Sequence, residues 1–134
     1  MSSRRAARRT ALDVLFQADV TGADPLEVLD GWRAAGREVS PFTEELVVGV
    51  ADHLPDIDLE LEEHAEGWPV ARMAALDRTI LRVALEEMLH RTDVPTSVAI
   101  SEAVEAANEL STEDSGRFVN GILGRIARER DDPA

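Results

Sequence analysis

Four arginines stand in the first nine residues, Arg4, Arg5, Arg8 and Arg9, with no acid among them. At 100° per residue they occupy one sector of about 140° on a helix, and Leu12, Leu15 and Phe16 continue that sector downstream. A face that is apolar from Leu12 onward is therefore cationic over the two preceding turns. Those turns are expected either to project past the edge of a bundle or to lie across a groove beside it. Cations at a helix N-terminus oppose the macrodipole, at a cost of about 0.3–1 kcal/mol each at low salt. Guanidinium suits phosphate, because its planar fork donates two hydrogen bonds at once. Two readings follow from these residues: an RNA or phosphate site, or a solvated terminus that offsets some of the chain's negative charge.

Other reactive side chains assemble less. Glu87-x-x-His90 is half of a di-iron bundle signature, but three residues before His53 and His64 stand Val50 and Leu61. The signature is not completed, so the three histidines are read as surface residues and no metal site is expected. The acid run Asp52, Asp56, Asp58, Glu60, Glu62, Glu63 and Glu66 lacks the alternating ligands and glycine turn of a calcium loop and reads as a solvated helical face. Ser40 and Ser111 fall at helix starts, where capping explains them. Gly121 and Gly124 lie within a helical pattern and suggest close helix packing. No nucleophile, base and orienting group converge, so neither catalysis nor a cofactor is expected.

The elements that must position these side chains are all helical. Asp24-Pro25 and Ser40-Pro41 are start signals, a cap followed by proline at the first helical position. Pro55 is read as ending the second of these helices, with a short acidic helix over 56–65. Leu76, Ile80, Leu81, Ala84, Leu85, Met88 and Leu89 make the strongest stripe. Thr96 is read as capping the next helix, whose inner face is Ile100, Ala103, Val104, Ala107 and Leu110. Ser111 or Thr112 caps the last, with Phe118, Val119, Ile122, Leu123 and Ile126 inward. The predicted class is all-α, about seven helices in one compact bundle spanning 1–134 as a single domain, with a frayed tail over 131–134.

The composition fits that class and restricts its chemistry. The 134 residues include 44% hydrophobic side chains, no cysteine and no tyrosine, with aromatics at only 4%. Disulfides and thiolate metal sites are excluded, and the few aromatics argue against an aromatic base-stacking sheet. No apolar run approaches secretory or membrane-spanning length, so a cytoplasmic protein is predicted. The net charge of −13 argues against a broadly basic nucleic-acid binder. Its placement argues otherwise: all 14 basic residues are arginine, and residues 1–9 carry +4 while the remainder carries −17.

One resemblance goes beyond class. The runs Asp77-Arg78-Thr79-Ile80-Leu81-Arg82-Val83-Ala84-Leu85-Glu86-Glu87-Met88, Asp93-Val94-Pro95, Val98-Ala99-Ile100-Ser101-Glu102-Ala103-Val104-Glu105, Asp114-Ser115 and Arg117-Phe118-Val119-Asn120-Gly121-Ile122-Leu123 closely resemble the NusB transcription antitermination family. The arginine cluster followed by Ala11, Leu15, Phe16 and Gln17 extends the match to the N-terminus. The resemblance implies an all-helical domain of two small helical subdomains, without catalysis or cofactor. It implies binding of boxA RNA in nascent ribosomal RNA transcripts together with NusE, a small-subunit ribosomal protein, and joint action with other Nus factors on elongating RNA polymerase. Carried over by position, Arg4, Arg5, Arg8, Arg9, Phe16, Arg117 and Phe118 are the expected RNA contacts. Asp77 and Asp114 are the expected NusE contacts. Arg82, four residues before Glu86, is expected to pair with it, and Asn120 to sit in a helix–helix seam. Residues 22–40 match nothing sharply and carry no assignment.

Two other roles use the same helices. The fold also serves as an RNA-binding appendage of ribosomal RNA cytosine methyltransferases, for whose catalytic domain 134 residues leave no room. An acidic helical adaptor, or a homodimer that covers the arginine face, needs no RNA at all.

Overall fold

The computed structural model describes residues 3–130, so the expectation for 131–134 lies outside the described residues. Six α-helices follow one another: α1 (Arg4–Thr21), α2 (Pro25–Ala34), α3 (Pro41–His64), α4 (Ala75–His90), α5 (Thr96–Leu110) and α6 (Glu113–Glu129), with a single 3-10 turn at Val70–Arg72. Among the described residues there is no strand, and no helix is long and apolar enough to cross a membrane.

The helix starts obey local chemistry. Asp24 accepts a hydrogen bond from the Leu26 amide, Ser40 from the Thr43 amide and Thr112 from the Ser115 amide. Each satisfies a donor that the first turn leaves orphaned. Thr96 does not cap α5; Pro95 precedes the helix without a side-chain cap. Pro55 does not end a helix either. It lies inside the 24-residue α3, where proline removes one hydrogen bond and crowds the preceding turn at a cost of about 3 kcal/mol. A continuous axis keeps Leu46, Val47 and Val50 on one side of the proline, and Ile57 and Leu61 on the other, in the same core, and this outweighs the cost.

α4 is the axle of the bundle, packing against α1, α3, α5 and α6. It is buried nearly all round, from Thr79 to Met88, and its buried set includes the consecutive acids Glu86 and Glu87. Buried side chains from all six helices form one contiguous apolar cluster. Within it α5 is rotated from the expected face. Ala99, Ala103, Ala106 and Ala107 are buried, whereas Ile100 and Val104 are only partly covered and Leu110 is exposed. The small alanine face lets α5 approach α4 and α6 closely. That rotation also turns Glu102, Glu105 and Glu109 toward α1.

Close packing falls on glycines other than the two predicted. A Cβ at Gly121 would meet nothing, and at Gly124 only the tip of Arg128. A Cβ at Gly49 would lie 2.1 Å from Glu86 Oε2, so α3 carries glycine where the buried carboxylate of α4 crosses it.

Candidate RNA and partner interface

The N-terminal turns of α1 lie across the groove between α4 and α5. Ser3 caps the helix by accepting from the Ala6 amide, and no acid follows in the first turn. The missing negative charge comes from elsewhere in the chain. Arg4 Nη2 donates to Asp93 at 2.6 Å, Arg5 to Glu102 at 2.8 Å and to Glu105 at 2.7 Å, and Arg9 to Glu109 at 2.9 Å. Arg8 donates from Nε and Nη2 to Glu87 of α4 at 3.0 and 2.7 Å. Glu102, Glu105 and Glu109 form one stripe on α5, at spacings of three and four residues. Each cation that opposes the macrodipole thus has a carboxylate of its own.

The four pairs are not equivalent. The side chains of Arg4, Arg5 and Arg9 keep 48%, 55% and 29% of their exposure, whereas Arg8 keeps 10% and its partner Glu87 2%. Water-exposed ion pairs are worth little, so the first three guanidiniums can exchange a carboxylate for another anion. The Arg8–Glu87 pair is desolvated and bolts α1 to α4. Arg4, Arg91 and Arg8 also surround the ring of Phe42, with guanidinium carbons 4.4, 4.9 and 5.4 Å from its centroid. The ring's negative faces attract cations, which gathers the cluster at the start of α3.

The carboxylates respond to this positive field. Hydrogen bonds from Arg4 and then Arg91 bring the Asp93 carboxyl down to about 2, and the hydrogen bond from Arg5 lowers Glu102. A depressed carboxyl contributes stability that is full above its ordinary value and lost as pH falls through the depressed one. The Arg4–Asp93 fastening should therefore be intact at neutral pH and release between about pH 4 and pH 2. A carboxyl-carbon NMR titration should place the Asp93 midpoint near 2; a midpoint at the ordinary aspartate value would mean that the pair does not form in solution.

A second group stands at the start of α6. Asp114 and Arg117 pair one turn apart, both exposed. Ser115 Oγ reaches Asp77 Oδ2 of α4 at 3.4 Å, so Asp77 lies beside this turn, and Asp77 Oδ1 is buried without a hydrogen-bond partner among the described residues. Asp77 and Asp114 each stand in the first turn of their helix, where negative charge meets the positive end of the dipole. Phe118 is partly buried against the core, and Phe16 is 36% exposed on α1. Glu109, which holds Arg9, is in the last turn of α5 just before the link to α6. The guanidinium row therefore ends where the group of Asp114, Arg117 and Phe118 begins.

Other assignments change. Arg82 pairs with Asp58 and Asp19 across helices, not with Glu86 one turn away. Asn120 is exposed, on the open groove between α5 and α6. His64 is buried rather than superficial, with Nδ1 against the Glu60 carbonyl and Nε2 against Glu129. Glu87, the acid of the incomplete Glu-x-x-His signature, faces Arg8. Parts of the acid run are engaged as well, Asp58 with Arg82 and Glu66 with Arg125. Sequence reading missed the α5 carboxylates as partners of the arginines. The signal was present in the stripe of Glu102, Glu105 and Glu109, but pairing it with α1 requires knowing which two helices touch.

Known proteins give this geometry a context. The NusB family model matches residues 5–128. The transcription antitermination protein NusB of Saccharopolyspora erythraea is 51% identical over 131 residues, which cover 95% of this chain and 88% of that protein. NusB of T. maritima superposes with a TM-score of 0.85 at 34% identity, over 96% of this chain and 92% of that one. A structure of the antitermination factors NusB and NusE in complex with double-stranded RNA matches with a TM-score of 0.83 at 25% identity, covering 94% of this chain and 96% of that one.

Proposed function

The chain belongs to the NusB family of transcription antitermination proteins, and from that premise we propose that it binds boxA-type RNA of nascent ribosomal transcripts together with NusE and acts with the other Nus factors on elongating RNA polymerase in the cytoplasm. The observation that carries this reading is the row of exposed, exchangeable guanidiniums of Arg4, Arg5 and Arg9 on one edge of a strongly acidic protein. Phosphates can take the place of Asp93, Glu102, Glu105 and Glu109. Arg8 supports the row by fixing α1 on α4. Arg117, Phe118 and Phe16 extend the RNA surface, with the rings as stacking platforms for unpaired bases.

NusE meets the acidic side of the same end, at Asp77 and Asp114. The partner of known structure with NusB and RNA is NusE, and a basic ribosomal protein complements these carboxylates. With few phosphate contacts the RNA affinity of the chain alone is modest and strongly dependent on salt.

One observation favours a different role: all four N-terminal arginines already hold carboxylates of their own chain. An adaptor or homodimer without RNA would leave them so. Anisotropy titrations of boxA-type RNA, with and without NusE at several salt concentrations, separate the two. The expected result is binding that weakens steeply with salt and tightens when NusE is present. Absence of salt-dependent binding even with NusE would favour the adaptor.

A further inference from the structure

We propose that His53, Glu86 and His90 form a binding site for a divalent transition-metal ion of the zinc or cobalt class, bridging α3 and α4. The three residues each offer one ligand atom, and these atoms lie within 4.8 Å of one another. Adjacent ligands of a four-coordinate zinc ion, at about 2.0–2.1 Å from the metal, are roughly 3.3 Å apart. The two imidazoles are stacked nearly parallel, with centroids 3.7 Å apart and planes 16° from parallel; because imidazole lone pairs lie in the ring planes, the exposed His90 ring has to turn about its side-chain bonds for both nitrogens to converge on one ion. Two imidazoles and one carboxylate are a donor set that zinc and cobalt accept, and one that calcium and magnesium, which prefer oxygen ligands, do not.

The carboxylate is the best-fixed member. Glu86 is buried on α4, its Oε1 lies 2.8 Å from His53 Nδ1, and its Oε2 sits over Gly49, where any Cβ would collide with it. Its consecutive neighbour Glu87 is neutralised by a guanidinium, whereas the ion pair of Glu86 is to a half-exposed imidazole. A metal cation would supply the fuller charge compensation that a buried carboxylate needs. His90, in the last turn of α4, is exposed and leaves the outer side free for a water ligand.

A second cluster, Glu60, Glu63 and His64, shows by contrast what a used histidine looks like. Both nitrogens of His64 are engaged, one with the Glu60 carbonyl and the other with Glu129. Only the first cluster combines a buried carboxylate with an exposed imidazole. The site is separate from the arginine row, since Glu86 turns to α3 while Glu87 turns to α1.

The test is a titration of the intact protein with cobalt(II), followed by visible absorption, and competition with zinc(II). One equivalent of cobalt should give the intense absorption of four- or five-coordinate geometry, and zinc should abolish it. His90→Ala alters an exposed side chain, so folding is expected to be retained, and its metal affinity should fall at least about tenfold. Glu86→Gln should lower it similarly. At the same concentration zinc should raise the thermal midpoint of the wild type more than that of His90→Ala. Absence of stoichiometric binding, or equal affinity in wild type and His90→Ala, would overturn the proposal.

Discussion

Arg8→Ala is expected to destabilise the fold by about 3–5 kcal/mol, a large part of the 5–15 kcal/mol typical of a domain. The guanidinium makes three hydrogen bonds to Glu87, from Nε to both carboxylate oxygens at 3.0 Å and from Nη2 to Oε1 at 2.7 Å. Glu87 is 1% exposed, so truncating Arg8 leaves a carboxylate with neither water nor its arginine. The penalty comes from that orphaned charge and not from loss of attraction. Replacing both members, Arg8→Met with Glu87→Met, should therefore restore most of the stability, because neither charge then has to be desolvated. Urea unfolding should show a much lower midpoint for the single variant and recovery in the double. An Arg8→Ala midpoint no lower than that of Arg5→Ala, whose exposed pairs contribute little, would show that the buried pair holds nothing together.

The second large effect is on RNA. Arg4→Ala/Arg5→Ala/Arg9→Ala keeps the Arg8 bolt and removes the exchangeable guanidiniums. On single-stranded RNA each lost phosphate contact flattens the salt slope by about 0.7, hence by about 2 for three. At about 0.1 M salt the same counterion term corresponds to roughly a hundredfold loss of affinity. The carboxylates exposed by the change add repulsion in the same direction. The converse variant, Glu105→Gln/Glu109→Gln, should bind more tightly than wild type, because it removes competitors for Arg5 and Arg9 without adding a contact. Anisotropy at three salt concentrations measures both. A triple-alanine variant with the wild-type slope would take the RNA off this edge of the molecule.

The local signals in the sequence carried most of the helical architecture. Asp24-Pro25 and Ser40-Pro41 start helices because the caps act on amides two or three residues away, and nothing distant is needed to interpret them. Pro55 misled for the opposite reason. Its local cost is real, and what overrides it is burial of Ile57 and Leu61 in a core that other helices build. The same limit applies to the site. That the arginines of α1 share one face follows from their spacing alone. That Arg8 is buried while Arg5 stays in water depends on which turn meets α4, and α4 begins far along the chain. Arg82 is a similar case: Glu86 is the near partner in sequence, but Asp58 and Asp19 are the ones that α3 and α1 bring to it. Family resemblance named residues at both ends of this edge; long-range pairing decided which of the arginines stay exposed and which is buried.

The bolt between Arg8 and Glu87 also has a consequence in time. Its two ends are separated by 79 positions in the chain. At about 5–20 residues per second, on the order of ten seconds of synthesis elapse between them. α1 is thus made well before the α4 carboxylate that bolts it, and during that interval its guanidiniums exist before the carboxylates that will hold them.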